Sequence, residues 1–395
     1  MSRGSEMKRI VITGIGPLTA RSSGREEFWQ SLLAGELAPG SPAGLHVRDE
    51  RIISPEDPKL RHADRVSRLT LTVVGLALAD AGLEPGAEGL GETGLSFGSG
   101  FGCVASNAEY LHAILTRGPR FGNPVVFQNT VPNAGTGYAS AAYRLLGPTA
   151  TFCSGELAGF EALEFGFQQI AEEICPSMVA GGAEELSSWV TELFNARGEI
   201  SPSGAARPFG RRRDGVVLGE GGCALVIEEL EQAERRGARI YAEVLAIGGG
   251  SAGGGQTSAA VVSTVGGRLR DCGLSGADLD LVFSSGSGSV ERDLQEAEGL
   301  RGALGERAWR LPMICPKGAL GETVGGSGSL LVAAAALALW SGQVPPTVRS
   351  ADPDPDLYRA LPDGEVLGRE PRVALVSALG EDGNAFAAVL RRYEP

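Results

Sequence analysis

Lysine is nearly missing from this chain. Of the 35 basic residues in 395, only Lys8, Lys59 and Lys317 are lysine. Histidine is as scarce, with only His46, His62 and His112. The six cysteines are scattered without metal-ligand spacing, so neither a zinc site nor a disulfide framework is expected. The longest apolar run, residues 330–340, is too short to span a bilayer. No signal-peptide core follows the N-terminal charges, which predicts a cytoplasmic protein. Positive charge is also short overall. A net charge of −13 argues against nucleic-acid binding and against docking on anionic membrane by charge alone. With 43% apolar residues and mean hydropathy near zero, what remains is an ordinary globular protein with a sizeable core. No metal or other cofactor is called for. Against this background Lys317 stands out, because a lysine survives there inside the uncharged stretch 311–321.

Strand and helix patterns alternate along the whole chain, which predicts an α/β fold. Arg9-Ile-Val-Ile-Thr13 is predicted as a strand ending at Gly14-Ile-Gly16, with helix over 25–34. Apolar spacing at Val66, Leu69, Val73, Ala77 and Leu78 predicts a helix over 64–81. Strands are expected over 93–98, 177–181, 223–228, 281–284, 310–314 and 371–377. Helices are expected over 105–117, 158–170 and 230–236, with a buried one over 329–340. A second strand running into glycines begins at Ile240 and ends at Gly250. Two halves that each open with a strand and a glycine turn suggest a duplication, divided into 1–237 and 238–395 near Gly237.

The most telling stretch is Thr151-Phe-Cys-Ser-Gly-Glu-Leu-Ala-Gly-Phe-Glu-Ala162, where a strand turns sharply into a helix. Such a turn presents one side chain at a helix N-terminus, where free N–H groups and the helix dipole favour negative charge. That geometry serves to activate a nucleophile. The pattern resembles the active-site turn of the β-ketoacyl synthases, a thiolase-like family. Other motifs of that family appear in order: Arg9-Ile-Val-Ile-Thr-Gly-Ile-Gly16, Phe28-Trp29, Thr130-Val-Pro-Asn133 and Ala180-Gly-Gly-Ala-Glu184. The block Arg207-Pro-Phe-Gly-Arg-Arg-Arg-Asp-Gly215 with Gly219-Glu-Gly221 completes the set. The resemblance implies a layered α-β-α-β-α arrangement built from two duplicated βαβ-rich halves.

The catalytic positions of that family are changed. Aligning Gly159 with the motif glycine puts Glu156 where the acyl-accepting cysteine stands. Cys153 falls on the strand side of the turn and is expected to be a small buried cysteine. The first histidine's turn reads Ser285-Gly-Ser-Gly-Ser289, followed on schedule by Asp293 and Glu296, so Ser285 replaces it. The second histidine's stretch reads Lys317-Gly-Ala-Leu-Gly-Glu322, so Glu322 replaces it and Lys317 is retained. The gating loop, aromatic in the family, reads Gly380-Glu381-Asp382-Gly383. A carboxylate is a poor thioester carrier, and no imidazole pair remains to steady an enolate. Lys317 is expected to pair with Glu156 or with Glu322, filling the site with a buried salt bridge.

This combination resembles the ketosynthase-β subunit, or chain-length factor, of type II polyketide synthases. The resemblance implies a chain that is not by itself an enzyme. It would be one half of an acyltransferase-type complex with a catalytic ketosynthase-α, served by an acyl carrier protein, on an aromatic or polyene pathway. By the same resemblance Val104, Asn107 and Leu111 line an acyl tunnel whose depth limits chain length. A different reading keeps the chain an enzyme, with Glu156 and Glu322 as an acid/base pair that hydrolyses or decarboxylates an acyl thioester.

Overall fold

A computed structural model of the chain describes residues 8–36, 44–54, 60–84, 90–347, 352–358, 360, 367–368, 370–380 and 383–395. Its strands in chain order are β1 (Ile10–Thr19), β2 (Gly94–Gly98), β3 (Thr149–Phe152), β4 (Ser177–Glu184), β5 (Gly221–Glu229), β6 (Ala242–Ser251), β7 (Leu281–Ser284) and β8 (Met313–Ile314). A two-residue ribbon, β9 (Gln343–Val344) with β10 (Leu367–Gly368), precedes β11 (Val373–Leu379) and β12 (Asn384–Arg391). The helices are α1 (Arg25–Leu33), α2 (Arg65–Asp80), α3 (Val104–Arg117), α4 (Pro124–Phe127), α5 (Ala134–Tyr143) and α6 (Ala158–Ala171). After them come α7 (Ser188–Ala196), α8 (Leu230–Arg235), α9 (Thr257–Asp271), α10 (Val290–Leu304), α11 (Lys317–Leu320) and α12 (Ser327–Ser341).

Ten strands join in the order β3-β2-β4-β5-β1-β6-β12-β11-β7-β8. From either edge inward, the halves repeat one pattern. Two parallel pairings (β3/β2/β4 and β8/β7/β11) lead to two antiparallel ones (β4/β5/β1 and β11/β12/β6). The halves meet where Ile10–Ile12 of β1 pair with Ala242–Val244 of β6. α2 and α5 cover the outer face of the first half, while α9 and α10 cover that of the second. α6 and α12 lie between, touching strands of both halves, and complete a thiolase-like α-β-α-β-α stack.

Two expectations about strand ends need correction. β1 does not stop at Gly14 but runs through both glycines to Thr19, with a register shift between Ile12 and Gly14. The glycines serve packing: a Cβ on Gly16 would stand 2.3 Å from the backbone of Val73 and Ala77, so they let α2 lie directly on the strand. The strand expected over 310–314 keeps only Met313 and Ile314, since residues 305–310 wind into 3₁₀ turns. α12 is apolar on every side because every side is packed, as a central-layer helix requires. With the preceding turn, Val324–Ser341 is long and apolar enough to cross a membrane, but 89% of it is buried in the core. Trp340 at its end is 41% exposed rather than buried.

Candidate functional site: two buried ion pairs in a ketosynthase frame

The turn between β3 and α6 is made by Gly155, at φ +64°, followed by one 3₁₀ turn over Gly155–Leu157. Left-handed backbone at Gly155 swings Glu156 inward, leaving it 5% exposed. Nearby glycines hold the frame tight. A Cβ on Gly159 would lie 2.5 Å from the Gly325 carbonyl oxygen, and one on Gly182 would lie 2.2 Å from the same atom. The 159, 182 and 325 segments therefore meet backbone to backbone, around the same centre that Glu156, Ser285 and Glu322 approach. The glycines persist because any side chain there would force these segments apart.

Charge fills the centre. Arg292, on the first turn of α10, donates from Nη1 to Glu156 Oε1 at 2.5 Å and from Nη2 to the Leu379 carbonyl at 3.1 Å. Lys317 Nζ donates to Glu322 Oε2 at 2.6 Å, with both side chains about 95% buried. So Lys317 takes Glu322, and the partner of Glu156 is an arginine. Glu322 Oε1 also accepts from the Val324 N–H at 2.9 Å and the Ser327 hydroxyl at 2.7 Å. Burial raises the Glu322 pKa, but Lys317 and these donors outweigh it and hold the carboxyl below its ordinary value. Burial likewise lowers the Arg292 pKa, and the charges of Glu156 and Glu322 more than offset it. Glu156 does not use the helix N-terminus as expected. Its bond goes to Arg292, and its buried Oε2 has no hydrogen-bond partner among the described residues.

Behind the pairs lies a shell of buried carboxylates. Ser285 donates from Oγ to Glu296 Oε2 at 3.0 Å and from its N–H to Glu296 Oε1 at 3.2 Å, and its Oγ accepts from the Leu379 N–H at 3.1 Å. Asp293 accepts from the N–H groups of Phe209, at 2.8 Å, and of Ser287 and Gly288, at 3.0–3.3 Å. Asp293 thereby ties the 207–215 block to the 285–289 turn. Glu184, the last residue of β4, accepts from the N–H groups of Gly100 (2.5 Å), Phe101 (3.1 Å) and Gly325 (3.2 Å) and from the Ser99 hydroxyl (3.3 Å). Burial pushes Glu184 and Glu296 up to about 7 and Asp293 up to about 6. Val324 sits in this frame at φ +42°, a strained conformation for a β-branched residue, held by Glu322 on its own N–H and by Glu184 on the next.

Glu156 and Ser285 are thus joined through Arg292 and Leu379, and the Lys317–Glu322 pair lies near enough for the Glu322 charge to act on Arg292. Gly380 follows against the turn, where a Cβ would meet Leu157 at 2.7 Å. Glu381 and Asp382 lie outside the described residues. Cys153, expected to be buried, is not. It is the exposed one of the six cysteines, at the end of edge strand β3. Burial by its neighbours still raises its thiol pKa, and the Glu184 charge adds to this, so it is a poor thiolate at neutral pH. Val104 packs, half-buried, against the cluster of Leu186, Val190, Phe194 and Val324. Asn107 donates its side-chain amide to the carbonyls of Cys103 and Thr130, and Leu111 is 50% exposed.

Sequence reasoning misses Arg292 altogether. The signal is present: Asp293 and Glu296 are conspicuous on α10, and Arg292 stands four residues before Glu296, where helical geometry puts both on one face.

The described geometry matches known proteins end to end. The model of the β-ketoacyl synthase N-terminal domain matches residues 46–233, and that of the C-terminal domain matches residues 241–350. The tetracenomycin polyketide synthase ketoacyl synthase alpha subunit of Streptomyces glaucescens is 31% identical, over 99% of both chains. A β-ketoacyl synthase structure from Burkholderia phymatum superposes with a TM-score of 0.89 at 27% identity, covering 98% of this chain and 100% of that one. The ishigamide ketosynthase/chain length factor superposes equally well, at 0.89, with 24% identity and coverage of 98% and 100%. The chain belongs to the β-ketoacyl synthase family and is homologous to the ketosynthase subunits of type II polyketide synthases.

Proposed function

We propose that this chain is a non-catalytic, chain-length-factor-type subunit. It would pair with a catalytic ketosynthase in type II polyketide biosynthesis, in the cytoplasm. The observation that carries this reading is the content of the site. Where the family places a cysteine and two histidines, this chain has Glu156, Ser285 and Glu322, and the two carboxylates are bound to Arg292 and Lys317. A guanidinium does not give up its proton at accessible pH, so it cannot act as a base. Glu322, held low, stays ionised and cannot act as a general acid near neutrality. This weakens the reading of Glu156 and Glu322 as an acid/base pair on an acyl thioester.

A partner subunit is supported by two features of the surface. β3 is an open edge of the sheet, and Leu111, Leu115, Phe121, Val125, Phe127 and Val131, between α3 and the segment after α4, are 40–81% exposed. Open strand edges and clustered exposed apolar side chains both invite pairing with another chain. The partner we propose is a Cys-His-His ketosynthase joined at that edge, with an acyl carrier protein delivering the chain. Val104, Asn107 and Leu111 on α3 would then face the shared acyl tunnel, and the Gly380–Gly383 loop would stand at its mouth. The duplicated halves would divide at Gly237, which turns at φ +65° between α8 and β6.

Intact-mass measurement after incubation with acyl thioesters tests the central claim. The chain alone is expected to carry no acyl adduct, and co-expression with an intact ketosynthase to yield a 1:1 complex that condenses. A stoichiometric adduct on Cys153, or thioester turnover by the isolated chain, would sink this reading.

A further inference from the structure

Two of the three altered positions, Glu156 and Ser285, are linked to each other through the backbone of one residue, Leu379. The Leu379 carbonyl accepts from Arg292 Nη2 at 3.1 Å, and the Leu379 N–H donates to Ser285 Oγ at 3.1 Å. Arg292 carries the link to Glu156 and, by charge, to Glu322; Ser285 carries it to Glu296. Arg292 and Glu296 lie one turn apart on α10, so one helix reaches the Leu379 carbonyl directly and the Leu379 N–H through Ser285. Leu379 is the last residue of β11 and leads directly into the 380–383 loop.

We infer that Arg292 is a positioning residue that clamps the end of β11, at Leu379, onto the altered site in one fixed arrangement. A lysine would present its three donors from one nitrogen, whereas the planar fork of arginine spreads Nη1 and Nη2 to hold the Glu156 carboxylate and the Leu379 carbonyl at once. The site is thus rebuilt as a fastener. Glu156, Arg292 and Ser285 join the β3–α6 turn, the start of α10 and the loop after β7 to the end of β11. The inference concerns the fold of this chain and stands whether or not a partner ketosynthase is found.

Hydrogen exchange read by mass spectrometry on the full chain, in the assembly in which it purifies, tests it. In Arg292→Gln, peptides covering 377–380 are expected to exchange at least tenfold faster, while those from β4, β5 and α12 stay within about twofold. Arg292→Lys should fall between Gln and wild type. Arg292→Gln leaves Glu156 buried and unpaired and so risks unfolding the chain. The double variant Glu156→Gln/Arg292→Met removes both charges at similar volume and keeps the test readable. Unchanged exchange over 377–380 in the double variant overturns the inference, as does a rise spread evenly along the chain.

Discussion

At the scale of single residues, the two ion pairs make opposite demands. Burying charge is costly, and an ion pair often contributes less than apolar residues of the same volume would, yet breaking one partner leaves a stranded charge. Lys317→Met should therefore destabilise by about 3–5 kcal/mol, because Glu322 would keep only its bonds to Val324 and Ser327. Lys317→Met/Glu322→Leu should recover much of that loss. Chemical denaturation of the three proteins checks it, and equal losses for single and double variants would contradict the pairing. The altered positions are legible because the glycine frame around them is intact, so counting along the motifs places Glu156, Ser285 and Glu322. Their partners are less legible. Lys317 is conspicuous by rarity in an uncharged stretch, but Arg292 is one of many arginines, and only the path of α10 brings it to Glu156.

At the scale of elements, apolar periodicity locates most of the helices and strands, and its errors have physical causes. Residues 310–314 read as strand, but Arg310 still belongs to the 3₁₀ turns and only Met313 and Ile314 find a ladder on β7. β1 passes through Gly14 and Gly16 because α2 packs on them, a tertiary reason that local propensity does not carry. Cys153 is expected to be buried because free cysteine usually packs as a small hydrophobe, whereas it stands at the end of β3, an edge of the sheet. Its exposure becomes a probe. Maleimide should label Cys153 first among the cysteines of the free chain, the other five being buried or half-buried. If a partner ketosynthase pairs at β3, labelling should fall at least tenfold in the complex, and unchanged labelling would place the interface elsewhere. On α3, Val104 is the cleaner tunnel probe, because enlarging Asn107 would break its bonds to Cys103 and Thr130. Val104→Phe should shorten the products of the reconstituted complex without stopping condensation; an unchanged product distribution would remove α3 from the tunnel wall.

At the scale of the whole molecule, the buried carboxylates set how stability depends on pH. Burial lifts Glu184, Glu185 and Glu296 to about 7 and Asp293 to about 6. Between the ordinary carboxylate range and those values the folded chain binds more protons than the unfolded one, so stability falls as pH rises through that window. A carboxyl that titrates one pH unit higher in the folded chain than in the unfolded one costs about 1.4 kcal/mol once ionised. Groups held low, among them Glu322, Glu243 and Asp214, act in the opposite sense but only below the ordinary range. The melting temperature should therefore be higher at pH 5.5 than at pH 8, with the loss complete by about pH 7.5. Net charge alone would favour the same direction, since −13 at pH 7 is self-repelling. Salt separates the two causes. Repulsion between exposed charges is screened at about 0.5 M salt, while the titration of Glu184 and Glu296 inside the frame is not. A slope that survives in high salt and flattens in Glu296→Gln belongs to the buried shell. A slope abolished by salt, or a melting temperature that rises from pH 5.5 to 8, would mean that these carboxylates are ionised throughout and that their hydrogen bonds outweigh burial.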